Sequence, residues 1–181
     1  MLGVLLAGCG GGSDEPAPKP PAAQVAPASP APRSTPRDAQ VREALGLPDR
    51  VPLRATGAPR FEDADVVRRW MDELRQGEIE QAAARFALPA RFQNLGAVTQ
   101  IHSRPQALAV TESLPCGARV TEVGGANGYV VYEADLTDRP GGDCGTGVGG
   151  RVAGAILVRD GEIVEWYRLP DRPRPEPGSV V

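Results

Sequence analysis

Apolar residues are spaced for helices in one part of the chain and for strands in the next. Val66, Trp70 and Leu74 recur at every fourth position, with Val67 and Met71 beside them. The spacing predicts an amphipathic helix over 63–75, ended by Gly77. Ile79, Ala82, Ala83 and Phe86 fall on one face of a second expected helix, over 78–87, which Pro89 stops. The period then shortens to that of strands. Arg91-Phe92-Gln93 and Ala97-Val98-Thr99-Gln100-Ile101 flank the turn-like trio Asn94-Leu95-Gly96. Ser103 followed by Gln106 has the form of a capping box. It predicts a third helix, running to about Ser113, that buries Ala107, Leu108 and Val110. Four strands are expected next, over 118–123, 129–137, 151–159 and 162–169. The Gly-rich stretch 124–128 joins the first pair and Asp160-Gly161 the last. A loop over 138–150 with six glycines joins the middle two strands.

Proline separates this stretch from its flanks. Of 19 prolines only Pro89, Pro105, Pro115 and Pro140 lie between Phe61 and Leu169, which points to one domain over 61–170. Upstream, 38–45 reads as a short helix ended by Gly46, and Pro48, Pro52 and Pro59 argue against regular structure up to Arg60. Residues 9–60 are otherwise expected to be a disordered Pro/Ala/Gly-rich linker, and 171–181 a disordered tail, because neither holds enough apolar surface to offset the entropy of ordering. A net charge of −3 with scattered arginines argues against nucleic-acid binding. No apolar run reaches the length of a membrane-spanning helix.

Leu6-Ala7-Gly8-Cys9 resembles a bacterial lipobox, in which an apolar segment enters the membrane, small residues fit the signal peptidase and the cysteine thiol accepts the lipid. On that resemblance, residues 1–8 are a signal peptide, short and without a basic front, and Cys9 is lipidated. The chain is then expected on the extracytoplasmic face of the cell membrane, held by a lipid anchor.

The order helix, helix, hairpin, helix, four-strand meander resembles the nuclear transport factor 2-like superfamily, including SnoaL-like polyketide cyclases. The resemblance rests on Trp70 with Leu74, Gly77-Glu78, Phe86-Ala87-Leu88-Pro89 and Asp160-Gly161-Glu162-Ile163-Val164-Glu165-Trp166. Ser113-Leu114-Pro115-Cys116-Gly117-Ala118-Arg119 is similar to a stretch of actinobacterial secreted proteins of that superfamily. The fold implied is α+β: a cone-like, curved antiparallel sheet packed on three helices, with an open mouth. The resemblance implies that the open sheet can pair into a homodimer. It also implies, as one reading, a SnoaL-like enzyme of cyclase, isomerase or hydrolase type acting on a hydrophobic carbonyl compound. The other reading is a non-catalytic domain that binds a small apolar molecule or an envelope protein.

Side-chain chemistry favours the second reading. Cys116 and Cys144 are an even pair in an exported chain and fall near one another if the first hairpin turns near Ala126, so a structural disulfide is expected. No Cys-x-x-Cys or histidine cluster suggests a metal, and no cofactor is expected. His102, the single histidine, is a weak catalytic candidate at a strand end. Glu133 and Asp135 share one face of a central strand and Glu165 lies on the last strand. A carboxylate on the concave face would suit proton transfer; one on the convex face would be solvated or paired with arginine. Trp70, Tyr132 and Trp166 are candidates to line an apolar pocket.

Overall fold

The computed structural model describes residues 35–171. Cys9 and the expected signal peptide, the first part of the expected linker and the expected tail from residue 172 lie outside the described residues. In chain order the elements are α1 (Pro36–Leu45), α2 (Phe61–Gln76), α3 (Ile79–Ala84), β1 (Phe86–Gln93), β2 (Thr99–Ile101), α4 (Arg104–Glu112), β3 (Gly117–Ala126), β4 (Tyr129–Thr137), β5 (Arg151–Arg159) and β6 (Glu162–Leu169). The six strands form one curved, unclosed sheet in the order β2-β1-β6-β5-β4-β3. Four of the five pairings are antiparallel. The exception is β1 on β6, which is parallel, so the expected antiparallel sheet is mixed at that seam.

One face of the sheet carries α2, α3 and α4. Val67, Trp70, Met71 and Leu74 turn the apolar stripe of α2 onto Val130, Tyr132 and Ala134 of β4 and Trp166 of β6. Trp70, Phe86, Phe92 and Trp166 stack in a chain, with neighbouring ring centroids between 4.5 and 6.2 Å apart. The helix expected over 78–87 is shorter, because Phe86 leaves it and opens β1 opposite Ile163. Pro89 lies where the β1–β6 register shifts between Phe86 and Arg91, a place where a missing N–H leaves no ladder bond unmade. Ser103 caps α4 by accepting from the Gln106 N–H. Gln106 Oε1 in turn accepts from the His102 N–H at 2.7 Å, one residue ahead of the reciprocal bond a capping box would make.

The other face of the sheet is also covered, and by residues expected in the linker. Thr35 and Asp38 form a capping box that opens α1, with Pro36 in its first turn. Arg42 Nε donates to the Val51 carbonyl at 2.8 Å, and Arg54 grips Asp38 through two bonds of 3.2 and 3.1 Å. Leu47 and Val51 then bury against Tyr129, Val131, Ala155, Tyr167 and Leu169. Farther on, Gly57 bridges Gly125 of β3. A side chain at Gly125 would lie 2.6 Å from the Ala58 carbonyl oxygen, so this close approach of two backbones requires glycine. Residues 35–60 thus pack on the same sheet as the elements that follow Phe61. The short apolar pair Leu47 and Val51, set among prolines, has no period, and it orders because the sheet offers it an apolar face.

The β3–β4 hairpin turns tightly on Asn127-Gly128, with φ of 52° and 80°, so β3 extends through the Gly-rich stretch expected to be its loop. Gly117 of β3 then pairs with Thr137 of β4. That register brings Cys116 to Cys144, and the two form a disulfide across 28 residues. The loop 138–150 has a second fastening: the buried Arg139 donates from Nε and Nη2 to the Leu114 carbonyl at 2.9 and 2.8 Å and from Nη2 to that of Glu112 at 3.1 Å. It thereby caps the end of α4.

Candidate functional site

Strand alternation divides the candidate residues between two compartments. Even-numbered positions of β4, Val130, Tyr132 and Ala134, face the helices, and odd-numbered Tyr129 and Val131 face the α1 side. Trp166 points to the helices and Tyr167 away from them.

On the helix side a cavity of about 180 Å³ remains between α2 and the sheet. Trp70, Tyr132, Leu136, Trp166 and Arg168 are in its wall, and Asn94 and Leu95 border it from the β1–β2 turn. Tyr132 can lie across β5 because residue 154 is glycine: a Cβ there would be 2.4 Å from the Tyr132 hydroxyl. The ring reaches β6, where its hydroxyl accepts from Trp166 Nε1 at 2.9 Å and retains its own proton to donate. Burial pushes that phenol up to about 12, so it stays protonated at neutral pH. The indole N–H of Trp70, on a side chain with no exposure, has no acceptor. Arg168 lies opposite Gly154 in the next strand. One end of its guanidinium donates to the Asp171 carboxylate at 2.7 Å, while its buried Nε–H has no partner. Among the described residues the wall contains neither a carboxylate nor an imidazole.

The carboxylate candidates lie on the opposite side. Glu165, 6% exposed, accepts from Arg50 Nη2 at 2.6 Å, from Arg91 Nη1 at 2.9 Å and from the Tyr129 hydroxyl. Burial alone would raise its pKa, but the bonds from Arg50 and Tyr129 outweigh burial and hold the carboxyl below its usual range. Its partner Tyr129 is pushed well above the usual phenol range, by burial first and then by the adjoining carboxylate. This group is an ion-pair knot fastening the segment after α1 to the sheet. Glu133 and Asp135 share that face and flank Arg151, at 3.8 and 4.0 Å. None of the three is in the wall of the cavity between α2 and the sheet. His102 is exposed ahead of α4, away from the cavity wall.

Of the sequence candidates, Trp70, Tyr132 and Trp166 come together in one wall. Arg168, Asn94 and Leu95 join them without having been singled out. Arg168 carried a signal, since alternation along 162–169 puts it on the face of Trp166. Leu95 did not: it borders the cavity because it takes φ of 62° in the turn, a conformation uncommon for leucine.

No family model matches the chain, and no curated protein matches it. Solved structures resemble it in fold. A nuclear transport factor 2-like protein of unknown function from Cytophaga hutchinsonii is 15% identical, with 59% of this chain and 88% of that chain covered and a TM-score of 0.47. An LEH-like epoxide hydrolase from M. tuberculosis is 17% identical over 60% of this chain and 81% of that one, at a TM-score of 0.44. A de novo designed protein with a curved β-sheet reaches 0.46, at 18% identity over 62% and 87%. At such identities and scores the likenesses say nothing of this chain's chemistry.

Proposed function

We propose that the domain is a non-catalytic binding module whose cavity holds a small apolar molecule bearing a hydrogen-bond acceptor. We further propose that lipidation of Cys9 displays it on the extracytoplasmic face of the cell membrane. The observation that carries the first part is the buried indole N–H of Trp70, without an acceptor among the described residues in a largely apolar wall. Buried donors nearly always find a partner, and a ligand acceptor would supply one. The wall's lack of a proton-accepting side chain argues against the enzyme reading, because general acid–base chemistry needs such a group within hydrogen-bond reach of the substrate. The anchoring part is supported by Leu6-Ala7-Gly8-Cys9 and the Pro-rich stretch after it.

Native mass spectrometry of protein purified under gentle conditions tests the binding part. A co-purifying small molecule lost in Tyr132→Ala is expected; bare protein throughout, with no response to a panel of apolar compounds, refutes it. Intrinsic fluorescence gives a direct readout, since the chain's two tryptophans, Trp70 and Trp166, are both in the cavity wall. For the anchor, Cys9→Ser should release the chain from the membrane fraction and abolish incorporation of a labelled fatty acid.

A further inference from the structure

The cavity has a charge at one end as well as donors along its wall. Arg168 is in the wall of this cavity and also in that of a second recess beside Gln93, Leu95 and Gly96. Its side chain is 17% exposed, and among the described residues its buried Nε–H has no partner and its ion pair is with Asp171, only three residues along the chain and 59% exposed. Such an exposed local pair is weak. The Tyr132 hydroxyl and the indole of Trp70 add donors to the same wall, and no acid among the wall residues balances them. An arginine whose fork is half engaged by a replaceable carboxylate suits another carboxylate, which can take two parallel N–H bonds. The rest of the wall is aromatic and aliphatic. A dry apolar cavity of about 150 Å³ suffices for benzene, so the volume here suits a body of phenyl or short branched-alkyl size.

We propose that the ligand of this cavity is a small apolar monocarboxylate, its carboxylate paired with Arg168 in competition with Asp171 and its apolar body against the aliphatic and aromatic side chains of the wall. This rests on the reading of the cavity as a binding site and adds the ligand's chemical class. Asp171 acts as an intramolecular competitor.

The test compares phenylacetate with 2-phenylethanol, which share an aryl body and differ in the anionic head, by calorimetry and tryptophan fluorescence on the full chain. Phenylacetate is expected to bind at least about tenfold more tightly, the scale of a hydrogen bond to a charged group. Arg168→Gln should remove that preference. Asp171→Asn, an exposed change that leaves the fold intact, should tighten phenylacetate about two- to fivefold and not the alcohol. If both probes bind equally, or if Arg168→Gln does not weaken the acid, or if Asp171→Asn does not strengthen it, the carboxylate inference is overturned while the apolar site stands. If neither probe binds, the binding reading itself falls and the inference with it.

Discussion

Removing Glu165 should loosen the segment after α1 from the sheet, and the size of the effect can be worked from its three partners. Arg50 and Arg91 are about half exposed in their side chains, so each pair is screened by water and is worth roughly 0.5–1 kcal/mol. Tyr129 differs: it is 2% exposed, and without the carboxylate its hydroxyl has no acceptor, at a cost of about 1–3 kcal/mol. Glu165→Ala should therefore destabilise the domain by about 2–5 kcal/mol, visible as a lowered midpoint in urea with an unchanged slope. Glu165→Gln keeps an acceptor for Tyr129 and removes only the charge, so it should cost less than half as much. The pH dependence carries a sign. Because the folded carboxyl is held below the unfolded value of about 4.3, its stabilisation is complete above that pH and is lost as pH falls through the lower folded value. The gap between parent and Glu165→Gln should thus be widest near pH 6 and close below pH 4. A Glu165→Ala variant within about 0.5 kcal/mol of the parent at pH 6, or a gap that widens in acid, would refute the reasoning.

Gly154→Ala would bring a methyl to 2.4 Å from the Tyr132 hydroxyl and push the ring off β5; a loss of about 1–3 kcal/mol and a changed tryptophan emission spectrum are expected. Replacing Cys116 and Cys144 together by serine should cost about 3–4 kcal/mol for a loop of 28 residues, measured by thermal unfolding, and speed proteolytic cleavage within 138–150. Arg139 still caps α4 in that variant, so limited cleavage rather than global unfolding should be seen at room temperature. A fragment starting at Phe61 would uncover Tyr129, Val131, Ala155, Tyr167 and Leu169; light scattering should show self-association that the chain starting at Thr35 does not show.

The elements of the second half were legible because their signals are local. Asp160-Gly161 has the positive φ pair its hairpin needs, and alternation with β-branched residues marks β4, β5 and β6. The register that joins Cys116 to Cys144 followed from the hairpin position, although the turn itself proved to be Asn127-Gly128 and not the longer glycine run. What was hidden depends on partners distant in sequence. Phe86 reads as helical by spacing and becomes a strand residue because Ile163 is there to pair with it. Leu47 and Val51 lack periodicity and are ordered by the face they cover. The destination of Glu165 could not be read because β6 is apolar on both faces, and only the location of α1 and the following segment says which face is which. The cavity aromatics were readable as apolar but not as neighbours, since Tyr132 meets Trp166 only across a glycine in the strand between them.

The covering of both faces of the sheet also changes how this domain can vary. In a sheet with one wet face, every second residue of a strand is free to drift in sequence. Here Val130, Val131 and Tyr132 are consecutive and all buried, as are Ala155, Ile156 and Leu157 in β5. Neither parity offers a tolerant position along the middle of these strands, so a random substitution meets one packed compartment or the other. Neutral change is directed to the edge strands β2 and β3, the exposed part of β1, the outer turns and the exposed helix surfaces. Of the ways to alter what the cavity admits, those at Asn94 and Leu95, in the turn that borders it, disturb the rest of the molecule least.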